Sequence, residues 1–165
     1  MENKPNRVIW HHSGDASDKP QFLKIDTEHK NVRHFDESTL GYFGGYHYLI
    51  EKTGHVFAYR LETEVGSHDH GENIGSIGIC LAGDFDTELP TPAQATALAD
   101  LLENIFERWK FGIERVDPHR FGDTTNCPGL RLHDYWARIV YIEHKISWIR
   151  KLIWRIRNTI TNYTQ

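Results

Sequence analysis

The sequence predicts a single α/β domain followed by a C-terminal amphipathic helix. Three observations carry this. β-rich runs at 7–12, 46–51, 56–61 and 76–82 are separated by turn residues. Helical periodicity occupies residues 20–35 and the stretch behind Thr91. The C-terminal segment repeats Ile at alternating steps of three and four.

Taken in order, R-V-I-W-H-H at 7–12 forms a strand that stops at Ser13 and Gly14. Phe22, Leu23, Ile25, His29 and Val32 predict a helix over 20–35. Gly44 and Gly45 open the strand at 46–51, residues 52–55 turn it, and 56–61 returns as a hairpin partner. S-I-G-I-C-L-A at 76–82 is nearly continuous in apolar character, the pattern of a central buried strand. Thr91, Pro92, Ala93 and Gln94 form a capping box with Pro at the first helical position. Behind it Ala95, Leu98, Leu102, Ile105, Phe106 and Trp109 share one helical face, and Gly112 is the expected stop. Residues 116–129 read as a loop. From about residue 132 to 160 a heptad seam runs through Ile139, Ile142, Ile146, Ile149, Ile153, Ile156 and Ile160, with Leu132 and Tyr135 in register. The expected division is a domain over 1–137 and a helix over 138–165.

The chain has 165 residues, 39% of them hydrophobic, with five Trp, seven Tyr and eight Phe. That suffices for one core and argues against overall disorder. The net charge of -4 carries no argument for nucleic acid, and none is expected as a partner. Charge is uneven: residues 131–165 carry +5 and the first 130 carry -9. Two cysteines do not make a disulfide scaffold. Cys80 lies in the apolar run and is expected to be a buried hydrophobe, whereas Cys127 lies among polar turn residues. The N-terminus lacks the apolar region of a secretory signal, and no stretch is long and apolar enough to span a bilayer. Synthesis in the cytoplasm is expected, and a substrate lying outside would require release by another agent.

Eleven histidines invite a search for metal ligands. Catalytic zinc takes three nitrogen or sulfur donors and leaves one position open. His11 and His12 end a stiff strand, and strand alternation lets only one of them face a given site. Periodicity does not choose between them. The loop around His119 and Cys127 offers a second imidazole and a thiolate, with Pro128 and Gly129 turning the chain afterwards.

Several ordered motifs join these residues. They are V-I-W-H-H-S at 8–13, G-Y-H-Y-L-I at 45–50, G-S-H at 66–68, N-I-G-S-I-G-I at 73–79, T-P-A-Q at 91–94, and H-R closing on T-x-C-P-G at 119–129. Together they make the chain resemble the type 2 N-acetylmuramoyl-L-alanine amidases, a group of phage amidase endolysins and peptidoglycan recognition proteins. The resemblance runs from about Arg7 to Tyr135. It implies a central mixed β-sheet flanked by helices, with one zinc ion in a surface groove. It implies His11, His119 and Cys127 as the metal ligands. It implies Tyr46 as a catalytic phenol, His68 as a groove histidine contacting muramyl-peptide, and Asn73 as a residue that fixes this loop or touches substrate. At Thr125, two before the cysteine, phage members usually carry Lys and many recognition proteins carry Thr; a hydroxyl there donates a hydrogen bond but brings no charge. His29, His34, His55, His133 and His144 read as surface or packing residues, and His47 should face away from Tyr46.

The implied activity is zinc-dependent hydrolysis of the bond between the lactyl group of N-acetylmuramic acid and L-Ala of peptidoglycan, as in a phage or prophage endolysin. The alternatives are a non-catalytic peptidoglycan-binding module, which typically lacks a ligand such as the cysteine, and a cytosolic muropeptide-recycling amidase, whose relatives usually carry Asp as third ligand. For the tail, packing of the Ile stripe along the domain is the expectation. Two other roles compete with it. An all-Ile seam favours self-association as trimers or tetramers. Arg138, Lys145, Arg150, Lys151, Arg155 and Arg157 with Trp148 and Trp154 suit an anionic membrane or lipopolysaccharide.

Overall fold

The computed structural model describes residues 2–163, with side chains described through Ile153. Five strands form one mixed sheet: β1 (Arg7–His12), β2 (Tyr48–Ile50), β3 (Val56–Ala58), β4 (Ser76–Leu81) and β5 (Val116–Pro118). Their order is β3-β2-β4-β1-β5, with β1 parallel to β4 and β5, β2 parallel to β4, and β3 antiparallel to β2. The central pair is the most apolar, as the sequence predicts. β4 is buried along its whole length, and its Cys80 is fully buried. The predicted hairpin strands are shorter than expected, although Tyr59 N–H to His47 O and His47 N–H to Gly78 O extend the pairing beyond β2 and β3.

Alternation divides the sheet into two faces. Val8, Trp10, Ile50, Ile77, Ile79 and Leu81 point to one side and pack under α2 (Pro92–Trp109). Leu49, Cys80 and Ala82 point to the other, against Phe22 and Ile25 of α1 (Phe22–Glu28). The predicted helix over 20–35 splits into α1 and a π-helical turn at His29–Arg33. His11 follows the parity of Ile9, and His12 that of Trp10, so the two imidazoles leave on opposite faces.

The capping box of α2 is complete. Thr91 Oγ1 accepts from Gln94 N–H at 3.1 Å, and Gln94 Oε1 accepts from Thr91 N–H at 3.0 Å. Gln94 also donates to Ile50 O at 3.1 Å and Ala82 O at 2.8 Å, so one side chain satisfies the helix start and two strand ends. The stop differs from expectation. Lys110, not Gly112, takes the left-handed conformation, with φ 60. The Phe111 ring folds back to 5.5 Å from Phe106, the apolar contact that accompanies this kind of helix end.

The last helix, α3 (Trp136–Tyr163), overturns one expectation. It docks on α2 through Ala137, Tyr141 and Lys145, not through its Ile stripe. Ala137 is fully buried, Tyr141 sits 5.2 Å from Phe106 and shares a hydrogen bond with Glu103, and Lys145 Nζ reaches Glu103 at 2.7 Å. Ile139, Ile142, Ile146, Ile149 and Ile153 are 44–47% exposed. The acidic groups Asp100 and Glu103 on α2 select the basic-aromatic face, pairing with His144 as well as Lys145. The seam residues Ile156 and Ile160, with Trp154, Arg155 and Arg157, lie outside the described side chains. Among the described residues no helix is long and apolar enough to cross a membrane.

Candidate metal centre

β1 is the middle of the site because both of its neighbours carry something to it. β5 runs parallel beside it and ends at Pro118, so His119 emerges next to His11. Their ring centroids are 4.4 Å apart. The chain then loops out and returns. Arg120 N–H donates to Cys127 O at 2.9 Å, and Arg120 Nη2 to Gly129 O at 2.6 Å. Gly129, with φ 109, passes so close to Phe85 that a Cβ there would lie 2.5 Å from its carbonyl oxygen. A side chain at this position would push the loop away from the strand end.

The result is that one donor atom each from His11, His119 and Cys127 lies within 4.8 Å of the others. His12 is excluded: it points to the α2 face, where its Nδ1 accepts from Phe85 N–H at 3.0 Å. The tie left by the sequence is therefore broken by sheet parity.

The donor set fits a soft divalent cation. Both ring nitrogens of His119 are buried with no hydrogen-bond partner. His11 is held well below the usual imidazole range by burial and then by the neighbouring His68, His119 and His12, so it is neutral and carries a free lone pair. Burial pushes the Cys127 thiol up to about 12, outweighing the His12 backbone and the Arg120 guanidinium, which favour the thiolate. Two imidazoles and one thiolate match the donor chemistry of a three-ligand zinc site.

One of the donors, His119, lines a groove of about 460 Å³. Tyr46 forms part of its wall, with its ring 5.1 Å from His11 and 5.6 Å from His29. Burial and the nearby thiols of Cys80 and Cys127 hold its phenol well above the usual range, so it stays protonated. His68 and Asn73 also line the groove. His68 is 8% exposed, and Asn73 Oδ1 accepts the backbone N–H groups of His68 at 2.8 Å and Asp69 at 3.0 Å. Thr125 lies beside the groove with Arg120 and Asp123, and its Oγ1 accepts from Cys127 N–H at 3.1 Å. His47 is fully buried, with its ring 5.7 Å from that of His68. It accepts from Gly78 N–H at 3.0 Å through Nδ1, and its Nε2 meets Glu64 O at 2.9 Å.

Two groove residues with a bearing on the metal donors, His29 and Asp69, carry no signal in the sequence. His29, expected on the surface, lines the groove and accepts from Gly45 N–H at 2.9 Å. Asp69 is 2% exposed and stands beside His119. Each belongs to a segment without metal-ligand spacing, so only the three-dimensional arrangement reveals it.

A family model described as N-acetylmuramoyl-L-alanine amidase matches residues 1–130. The endolysin of Escherichia phage T7 is 35% identical over 99 residues, 57% of this chain; the match spans 64% of that endolysin. Peptidoglycan-recognition protein SC2 of Drosophila simulans is 32% identical over 128 residues, covering 76% of this chain and 68% of that protein. Among solved structures, N-acetylmuramoyl-L-alanine amidase LysC from Clostridium intestinale URNW superposes with a TM-score of 0.68 at 31% identity, covering 86% of this chain and 85% of that one.

Proposed function

The chain belongs to the N-acetylmuramoyl-L-alanine amidase family, and on that premise we propose that it is a zinc hydrolase of peptidoglycan acting as a phage or prophage endolysin. The bond cut is the amide between the lactyl group of N-acetylmuramic acid and L-Ala. One observation supports this reading above the others: His11, His119 and Cys127 bring three soft donors together, and His119 lines the adjoining groove. A module that only binds peptidoglycan has no need for such a donor set.

Zinc bound there supplies Lewis acidity, drawing electron density from a carbonyl and making water acidic enough to ionise at a pH of about 7. The protein does the rest. His11, His119 and Cys127 would hold the ion. Tyr46 presents a phenol O–H to the oxygen on which negative charge develops. His68 and Asn73 meet the muramyl-peptide along the groove. Thr125 acts on the reaction through the backbone of Cys127, which its hydroxyl fixes.

Incubation of the protein with purified peptidoglycan tests this. New free L-Ala amino termini should form, vanish with a chelator and return with zinc. New reducing sugars would instead mean a glycosidase. Binding with no new chain ends would mean a recognition module.

The exposed Ile stripe of α3 supports a partner. We assign it to an anionic membrane surface. Arg150 and Lys151 flank the stripe, Trp148 is 55% exposed, and a parallel self-pairing would set Lys145 against Arg150 across the seam. Deleting 144–165 should spare cleavage of purified peptidoglycan and remove binding to phosphatidylglycerol vesicles. Equal vesicle binding by both forms, or a size change showing an oligomer, would overturn the assignment.

A further inference from the structure

We propose that His68 and Asp69, adjacent in the chain, set the ring orientation and tautomer of the two imidazole ligands, His68 acting on His11 and Asp69 on His119. The inference rests on the zinc reading above. It makes residues 67–73 the outer wall of the metal centre.

A histidine ligand uses one nitrogen lone pair, and its other nitrogen must donate a proton elsewhere. For His11 the protons can be placed one by one. His11 Nε2 lies 3.2 Å from His68 Nδ1, His68 Nε2 lies 3.2 Å from Ser76 Oγ, and Ser76 Oγ lies 2.9 Å from Asn73 O. The Asn73 carbonyl only accepts, so Ser76 donates to it. The Ser76 oxygen then accepts from His68 Nε2–H. His68 Nδ1 is left with a lone pair and accepts from His11 Nε2–H. His11 Nδ1 therefore keeps its lone pair, and this is the atom that faces Cys127 Sγ at 3.8 Å.

The sequence makes room for this relay. A Cβ at Gly66 would lie 2.6 Å from His68 Cδ2, and one at Gly78 would lie 2.8 Å from His68 Nδ1. The glycines of G-S-H and S-I-G-I thus form the slot that holds the ring.

His119 has the complementary arrangement. Its Nε2 lies 3.6 Å from Asp69 Oδ1, a small side-chain shift from a hydrogen bond. Both carboxylate oxygens of Asp69 and both nitrogens of His119 are buried without other partners. Pairing Nε2–H with Asp69 satisfies one deficit on each side and leaves His119 Nδ1 for the ion. A divalent ion on two imidazoles and a thiolate carries a net positive charge, which the Asp69 carboxylate offsets. Asn73 fixes both residues at once through their backbone N–H groups, and the Asp69 carboxylate is seated against Gly122, where a Cβ would lie 2.7 Å from Oδ2.

The test measures zinc affinity of the full chain by competition with a chromophoric chelator. D69A and S76A should each weaken zinc binding about ten- to a hundred-fold, as loss of an outer-shell partner does elsewhere. D69N, which keeps an acceptor oxygen, should recover part of the loss. Ser76 carries no proposed substrate contact, so its effect reads positioning alone. Wild-type affinity in both folded variants would overturn the proposal. A second measurement does not need a stable variant or bound zinc: nitrogen-detected imidazole NMR of the wild-type, metal-free chain should show Nε2–H tautomers at His11, His68 and His119. An Nδ1–H tautomer at His11 or His119 would overturn it. A wild-type chain that binds no zinc would sink the amidase reading, while the tautomers still decide this one.

Discussion

Replacing Cys127 with Ser is expected to cut amide hydrolysis at least about a thousandfold and to remove stoichiometric zinc, while the fold survives. The Lewis acid contribution to such a reaction is several kcal/mol, and about 4 kcal/mol is a thousandfold in rate. A serine hydroxyl does not ionise in a buried site, so the ion loses its only anionic donor. The structural cost is small because Ser is nearly isosteric and the Sγ atom makes only long contacts, 3.8 Å to His11 Nδ1 and 3.9 Å to His12 O. The loop is held by Arg120 and Thr125 instead. Thermal unfolding of both forms without zinc should therefore agree within about 1 kcal/mol, and zinc content with hydrolysis should separate them. A Ser variant that keeps a full zinc equivalent and more than about a tenth of the rate would remove Cys127 from the proposed ligand set.

Much of this site was legible before any coordinates, and the limits have physical causes. The β-rich runs and the capping box at Thr91 report local preferences, which act through nearest neighbours and so survive in sequence. What alternation could not say was which parity faces the groove, because a strand carries no label for its two sides. The register of Trp10 beside Ile79 and His11 beside Cys80 supplies that label: one parity packs under α2 and the other opens toward the groove. The meeting of His11 with His119 depends on β5 lying parallel to β1, a pairing of residues more than a hundred positions apart, so no local pattern announces it. The α3 seam misled for the opposite reason. Its Ile periodicity is strong, but periodicity measures an apolar face and not its partner. The partner choice was made by Asp100 and Glu103, which bind the other face. Asp69 gave no signal at all, since a carboxylate in a polar loop looks solvated until burial is known.

These distinctions bear on how the proposed chemistry divides between the ion and the groove. The donors account for electron withdrawal from a carbonyl, yet an oxygen that gathers charge also needs a hydrogen-bond donor fixed in advance. Thr125 is less directly placed, because it lies beside the groove rather than along it, although its O–H remains free to donate while its oxygen accepts from Cys127 N–H. Arg33 lines the groove but sits at the end of the π-helical turn. Tyr46 stands next to His11 itself, on a segment fixed by the bonds of its neighbours Gly45 and His47.

Tyr46→Phe is therefore expected to lower kcat about a hundred- to a thousandfold, the loss typical of removing one preorganised donor. Phe keeps the ring that packs against His11 and His29. Zinc affinity and thermal stability should change little, because the ring is retained and a protonated phenol is a poor zinc donor beside two imidazoles and a thiolate. KM should also hold, since the hydroxyl acts where charge develops and not on the resting amide. Burial keeps the phenol protonated well beyond its ordinary range, so it works as a donor and not as a base. Tyr46→Ala separates the two parts of the side chain: it should show the same loss in kcat with an added fall in stability from the lost ring. A Phe variant with kcat within twofold of wild type would make Tyr46 a packing aromatic and move the search for the donor to other polar groove residues such as His29 or Arg33.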